Sequence, residues 1–244
     1  MARLPRLYIP GEPQHVLLQT IAGQTAFCDD DDRQLYLDLL ARAADRRRLA
    51  IHAWVLLPRA VRLVVTPSDT GSLPLTLQDV NRGYVAGFNR RCQRHGTLWE
   101  GRYRATVIEP ERYLIDACRD VEFAPVLEGL VGQPGDYRWS SYAHHVGLCT
   151  DRLMVDHVLY RVLGNTSFER QHAWRRRSEA PLSAQTTEEL MEATRKGWVL
   201  GSRDYLDRVG HRANRRVERL PRGRPPKSRR IIVHVSASAP RSTE

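Results

Sequence analysis

The chain is short of lysine, of closely spaced cysteines and of long uncharged stretches, and each shortage removes a class of protein. Lys196 and Lys227 are the only lysines. Almost all the positive charge is therefore arginine, whose planar fork pairs with phosphates and guanine edges as an ammonium cannot. Cys28, Cys92, Cys118 and Cys149 stand far apart without a CxxC spacing. That disfavours both a zinc knuckle and a disulfide framework and points to a reducing cytoplasm. No run of roughly 18 uncharged apolar residues occurs, and the opening MARLPRLYIPGEPQHV has no signal-like apolar core. The expectation is a protein that neither spans a membrane nor is exported. No internal repeat is visible.

What is present is a basic globular chain. With 244 residues and 41% hydrophobic content it has material for one sizeable core and a small appendage. Its net charge of +10 is unevenly placed: residues 203–230 hold eleven Arg or Lys against three Asp or Glu, a surplus of eight. The first 202 residues are then only mildly basic, so clusters count for more than the total, and they invite a polyanionic partner.

Periodicity orders the first part. Gln14–Ala22 is apolar and bounded by turn residues, hence a strand. Asp29 to Asp32 supply a cap and an acidic first turn for a helix carrying Leu35, Leu39 and Ala43 and ending at Arg46, Arg47 and Arg48. Leu49–Leu57 and Val61–Thr66 read as a strand pair around Pro58–Ala60, and Leu75–Arg94 as a helix striped by Leu77, Val80, Tyr84, Val85 and Phe88. A strand over Arg102–Glu109 and a helix starting at Pro110 and stopped by Pro125 follow. Strand, helix, strand, strand, helix, strand, helix predicts an α+β fold, a ferredoxin-like antiparallel sheet with helices on it. Three segments are expected: 1–147, a helical extension over 148–220, and a disordered basic tail over 221–244. Within the extension, Ser183 heads one short helix closed by Gly197, and Gly201 and Ser202 open another; a generic helical hairpin is favoured over a helix-turn-helix.

Several motifs, in order and at matching spacings, carry a family resemblance over roughly residues 1 to 147. They are His52-Ala53-Trp54 running through Leu57-Pro58-Arg59-Ala60-Val61-Arg62-Leu63; Phe88-Asn89-Arg90-Arg91 followed by Gly96-Thr97-Leu98-Trp99-Glu100-Gly101-Arg102-Tyr103; Tyr113-Leu114 with Cys118-Arg119, Pro125 and Gly129-Leu130-Val131; and Asp136-Tyr137 with Trp139-Ser140-Ser141-Tyr142. Together they resemble the REP-associated tyrosine transposases, a single-stranded-DNA family with an HUH endonuclease fold. The resemblance implies two histidines, two residues apart on one strand, that share a divalent metal, Mg²⁺ or Mn²⁺. It also implies a helix tyrosine that attacks the phosphate, and an amide four residues on.

This chain departs from the family at each of those places. Ala60 and Arg62 stand at the histidine positions, Asp120 at the tyrosine and Ala124 at the amide. None of the four can do the family's chemistry, because alanine has no ligand atom, arginine repels a dication and aspartate has no phenol. No catalytic residue, metal ligand or cofactor is therefore expected. Tyr113, two turns before Asp120, is displaced by about 10 Å along the helix; Tyr84, Tyr103 and Tyr142 read as packing aromatics and His52 as a satisfied core residue. Since Arg62 and Asp120 replace groups that face each other, a salt bridge between them is expected.

The DNA-binding candidates are Arg82, Arg90, Arg91, Arg94, Arg102 and Arg104, interleaved with Trp99 and Tyr103, a mixture suited to phosphates beside stacked bases. To these the tail adds Arg222, Arg224 and Lys227, with Arg222-Gly223-Arg224-Pro225 resembling an AT-hook core and, equally, a plain basic tail. The reading is a DNA-binding protein that recognises single-stranded or hairpin DNA without cutting it, its oligomeric state open. The alternatives are an active transposase or nuclease with a substitute centre, and a decaying relic.

Overall fold

The computed structural model describes residues 6–213 and 215–218. Four strands, β1 (Gln14–Gln19), β2 (Leu49–Leu57), β3 (Ala60–Pro67) and β4 (Arg104–Val107), form one sheet in the order β2-β3-β1-β4, every neighbouring pair antiparallel. That is the ferredoxin-like order expected. Helix α1 (Asp30–Arg46) links β1 to β2, α2 (Ser72–Arg91) links β3 to β4, and α3 (Pro110–Leu127) follows β4. A 3-10 turn (Pro134–Asp136) and α4 (Tyr142–His145), α5 (Val158–Arg161), α6 (Ser167–Arg177), α7 (Ala184–Lys196) and α8 (Arg203–Arg212) complete the described chain. Among the described residues no helix is long and apolar enough to cross a membrane.

Strand alternation sorts the sheet into two apolar faces. Val16 and Leu18 of β1, with Val61, Leu63 and Val65 of β3, pack with Tyr36 and Leu40 of α1 and Leu77, Val80, Tyr84 and Phe88 of α2. Leu17, Ala60 and Val64 join Leu114, Ala117, Cys118 and Val121 of α3 on the other face. In β2 the pairing slips between Ile51 and Ala53, so Ile51, Trp54 and Leu56 all reach the α1/α2 side and Ala53, Val55 and Leu57 the α3 side. His52 sits at the slip and both its ring nitrogens are partnered, Nδ1 to the Val155 carbonyl at 2.7 Å and Nε2 to the Thr66 hydroxyl at 2.8 Å. It is a satisfied core histidine.

Asp29 caps α1 by accepting from the Asp32 N–H at 3.0 Å, as its sequence signalled. Several boundaries differ from the reading: β1 ends at Gln19 rather than Ala22, β3 spans Ala60–Pro67 rather than Val61–Thr66, and α2 spans Ser72–Arg91 rather than Leu75–Arg94. β4 begins at Arg104 because Gly101, at φ 74°, turns the preceding loop away. Helix α3 does not stop at Pro125 but continues to Leu127. Proline costs the helix the single N–H owed to Val121, yet the Glu128 N–H still reaches the Ala124 carbonyl at 2.9 Å and Gly129, at φ 70°, ends the turn.

The segment beyond 148 packs on the sheet. The Val155 N–H donates to the Ile51 carbonyl at 2.8 Å, and the Leu200 N–H donates to the Val107 carbonyl at 2.9 Å, which cover the outer edges of β2 and β4. Its anchor is Glu122 of α3, a fully buried carboxylate. Glu122 accepts from the Ser141 hydroxyl at 2.7 Å and from the Trp174 indole at 2.9 Å, and lies 2.6 Å from His145 Nδ1. Trp174, itself fully buried, lies 4.4 Å from the His145 ring, centroid to centroid. Neither Glu122 nor this network was read from the sequence. Glu122→Ala is expected to lose about 3 kcal/mol or more, since it strands buried donors, and Trp174→Ala about 3–5 kcal/mol. Urea unfolding followed by fluorescence and circular dichroism measures both; losses under about 1 kcal/mol would deny the network its anchoring role.

Candidate functional site

The four positions that depart from the transposase pattern come together. Ala60 and Arg62, two apart on β3, share the sheet face that meets α3, and Asp120 and Ala124 lie buried on α3, one turn apart. Arg62 Nη1 is 3.6 Å from Asp120 Oδ2, so the expected salt bridge is present. It is shared, because Arg62 Nη2 makes a shorter contact, 3.1 Å, with Glu128 Oε1 at the C-cap of α3.

A fourth group, absent like Glu128 from the sequence reading, completes the cluster. His15 of β1 is fully buried, and its Nε2 lies 3.7 Å from Asp120 Oδ2. The sequence signal was a polar side chain within an apolar strand, in phase with Leu17. His15 Nδ1 is 2.7 Å from the Thr194 hydroxyl of α7, which donates its one proton to the Leu190 carbonyl at 2.7 Å. Nδ1 must then carry the proton and Nε2 a lone pair. Burial, reinforced by Arg62, drives the His15 pKa down to about 3, so the ring is neutral. Burial raises the Asp120 carboxyl above its ordinary range, while Arg62 and Thr187 pull it back. At 3.7 Å the two groups are in electrostatic contact only, and His15 Nε2 and both Asp120 oxygens are buried without a hydrogen-bond partner.

A divalent ion does not fit this donor set. Ala60 offers nothing, His15 and Asp120 contribute at most one atom each toward the centre, and the guanidinium already stands beside the same Asp120 oxygen. Among the described residues no tyrosine is hydrogen-bonded or ion-paired to Arg62, Asp120 or His15. Tyr113 is partly buried two turns earlier on α3, the Tyr84 hydroxyl donates to the Ala26 carbonyl at 2.5 Å, and Tyr103 is buried in the opposite half of the molecule.

That opposite half holds a cleft of about 830 Å³ between α2 and the loop 97–103. Arg82 and Arg102 line it with the rings of Tyr8, Trp99 and Tyr103. Among the polar atoms of its lining residues, Asn81 Oδ1, Asn89 Oδ1, Trp99 Nε1 and the Tyr103 hydroxyl are buried without a hydrogen-bond partner. The arginine candidates divide here. Arg82, Arg90 and Arg102 are exposed. Arg91 is ion-paired to Asp29 at 3.1 Å and to Asp32, Arg94 donates to Gln24 at 2.6 Å, and Arg104 donates to the Arg195 carbonyl at 3.0 Å. Those three are held by their own protein, which sequence proximity could not reveal. Arg222, Arg224 and Lys227 lie outside the described residues.

Two expectations follow. The native state leaves His15 unprotonated between its folded value near 3 and its ordinary 6.5, while the unfolded chain protonates there. Stability should therefore fall as pH drops below 6.5, by up to about 1.4 kcal/mol per pH unit from this group, and His15→Gln should flatten the slope in urea titrations. Asp120 has the opposite sign: its raised value makes the native state hold the proton longer, so its contribution is lost as pH rises through that value. Arg62→Ala should accordingly cost about 3 kcal/mol at pH 8, where Asp120 loses its counter-charge, and less in acid, because burial favours the protonated carboxyl. An equal cost at pH 8 and in acid would remove Asp120 from the account.

No protein-family model matches the chain, and no curated protein matches it in sequence. Solved structures do match in fold. A REP-associated tyrosine transposase bound to a REP hairpin aligns with a TM-score of 0.52 at 17% identity, over 64% of this chain and 92% of that one. A provisionally assigned transposase from Deinococcus radiodurans R1 aligns with a TM-score of 0.34 at 22% identity, over 47% of this chain and 92% of that one. The chain has the fold of the REP-associated tyrosine transposase.

Proposed function

We propose that this protein is a cytoplasmic DNA-binding relative of the tyrosine transposases that holds single-stranded or hairpin DNA without cleaving it. The observation that carries the proposal is Arg62, lodged between Asp120 and Glu128 where the family's chemistry needs a cation on two imidazoles facing a phenol. A guanidinium cannot ligate a metal or surrender a proton at any working pH, and Asp120 cannot form a phosphotyrosine.

DNA binding is supported by the other half of the molecule. The cleft beside α2 sets cationic Arg82 and Arg102 next to Trp99 and Tyr103, and leaves amide and indole atoms unpaired. Arginines beside rings suit a phosphate chain whose unpaired bases stack, and unpaired polar atoms suit base edges. The structural neighbour solved with a REP hairpin makes a hairpin the natural first probe.

A hairpin oligonucleotide carrying a nicked suicide strand, incubated with Mg²⁺ or Mn²⁺, should give no denaturation-resistant protein adduct, and a reproducible adduct would establish cleavage by a substitute centre. In fluorescence anisotropy the hairpin should bind more tightly than a duplex of equal length. Replacing Arg82 and Arg102 together by Ala should weaken binding about tenfold near physiological salt and reduce the log–log salt slope by about 1.4, roughly 0.7 per lost single-strand phosphate contact. No preference for structured strands, or no change on losing both arginines, would sink the proposal.

A further inference from the structure

Cys28 and Cys92 are distant in sequence and adjacent in space, with Sγ atoms 3.1 Å apart. Cys28 is exposed in the loop before α1, and Cys92 is the partly buried C-cap of α2. Both backbones are fixed. The Cys28 N–H donates to Asp32 Oδ2 at 2.7 Å, and the Cys92 N–H to the Phe88 carbonyl at 2.9 Å. Arg91, next to Cys92, is ion-paired to Asp29 and Asp32 on the other side of the gap, so the two segments are already clamped by charge. Cys118 is buried within the α3 side of the core and Cys149 is exposed in the loop after α4, and neither has a thiol neighbour among the described residues.

The geometry points to a reversible disulfide between Cys28 and Cys92, made by exchange with a small organic disulfide, that bolts the entrance of α1 to the end of α2. The Cys28 thiolate attacks one sulfur of the organic disulfide, forming a mixed disulfide and releasing one thiolate. Cys92, deprotonated in turn, attacks the Cys28 sulfur and expels the second. The protein loses two hydrogens and two electrons, and the small disulfide gains them as two thiols. Two thiols already in contact have little freedom left to lose on closure, which favours the internal bond over two separate adducts. The mutual thiol contact, with burial and Asp32, pushes the Cys28 thiol up to about 11, so the first exchange is slow at neutral pH even though the closed product is stable.

The same atoms could be taken for a metal site, since Cys28, Asp32 and Cys92 offer ligand atoms within 4.8 Å of one another. Asp32, however, already serves the Cys28 N–H through Oδ2 and Arg91 through Oδ1, and the guanidinium beside it opposes a cation. The dithiol is the better use of this pair. It lies on the same helix as the proposed DNA cleft, but the inference does not depend on DNA binding.

The full-length protein, equilibrated with oxidised glutathione, acid-quenched and analysed by intact mass and peptide mapping, should lose about 2 Da through a Cys28–Cys92 cross-linked peptide that dithiothreitol reverses. Cross-linking across 64 residues should raise Tm by roughly 10 °C. Cys28→Ser and Cys92→Ser should each abolish the cross-link, leaving a glutathione adduct on the surviving partner, with the reduced-state Tm and hairpin affinity unchanged. Separate glutathione adducts on both cysteines of the unmodified chain, a cross-link to Cys149 instead, or a lower Tm after closure would overturn the inference. So would stoichiometric Co²⁺ binding with a thiolate charge-transfer band that blocks oxidation.

Discussion

A guanidinium on the inner face of a sheet must be met by anions or it does not stay there. Arg62 emerges from β3 toward α3 with its side chain only 12% exposed, and the neighbouring parts of the site are arranged around it. Asp120 approaches from the middle of α3 and Glu128 from its end. The helix reaches Glu128 because it runs past Pro125. On the far side of Asp120, His15 is held neutral by burial and by the Arg62 charge, so it adds no second cation. The result is a buried cluster in which Arg62 faces two carboxylates, while His15 Nε2, Arg62 Nε and both Asp120 oxygens have no hydrogen-bond partner.

The scaffold separates that cluster from the cleft proposed to take DNA. One sheet face meets α3 and, through Glu122, Trp174 and Thr194, the helical segment that follows it. The other meets α1 and α2, where the cleft and its aromatic walls lie. Substitutions at Ala60, Arg62, Asp120 and Ala124 on one face therefore require no change in the arginine and aromatic side chains on the other.

Much of this was legible in the chain itself. Apolar runs between turn residues located β1, β2 and β3, Asp29 and Ser183 announced their helices as caps, and the Arg62–Asp120 pair followed from opposite charges at two positions that face each other in the resembled family. What could not be read were relations between distant residues. His15 gained its role from Asp120, 105 positions away, and from Thr194, 179 positions away. Arg91, Arg94 and Arg104 looked as free as Arg82, and only packing brought Asp32, Gln24 and the Arg195 carbonyl to them. Cys28 and Cys92, separated by 64 residues, looked unrelated for the same reason. The overrun at Pro125 has a different cause: proline removes one hydrogen bond, and in a helix already packed through Val121 and Ala124 that loss is affordable.

The account stands on a pocket closed by its own charges. Anomalous diffraction from crystals soaked in Mn²⁺ tests it most directly. It predicts no manganese peak within about 5 Å of Asp120, a distance that spans direct ligation and one bridging water, with Arg62 still seated between Asp120 and Glu128. A manganese ion ligated by His15 and Asp120, with Arg62 swung out and a tyrosine hydroxyl moved in, would contradict it.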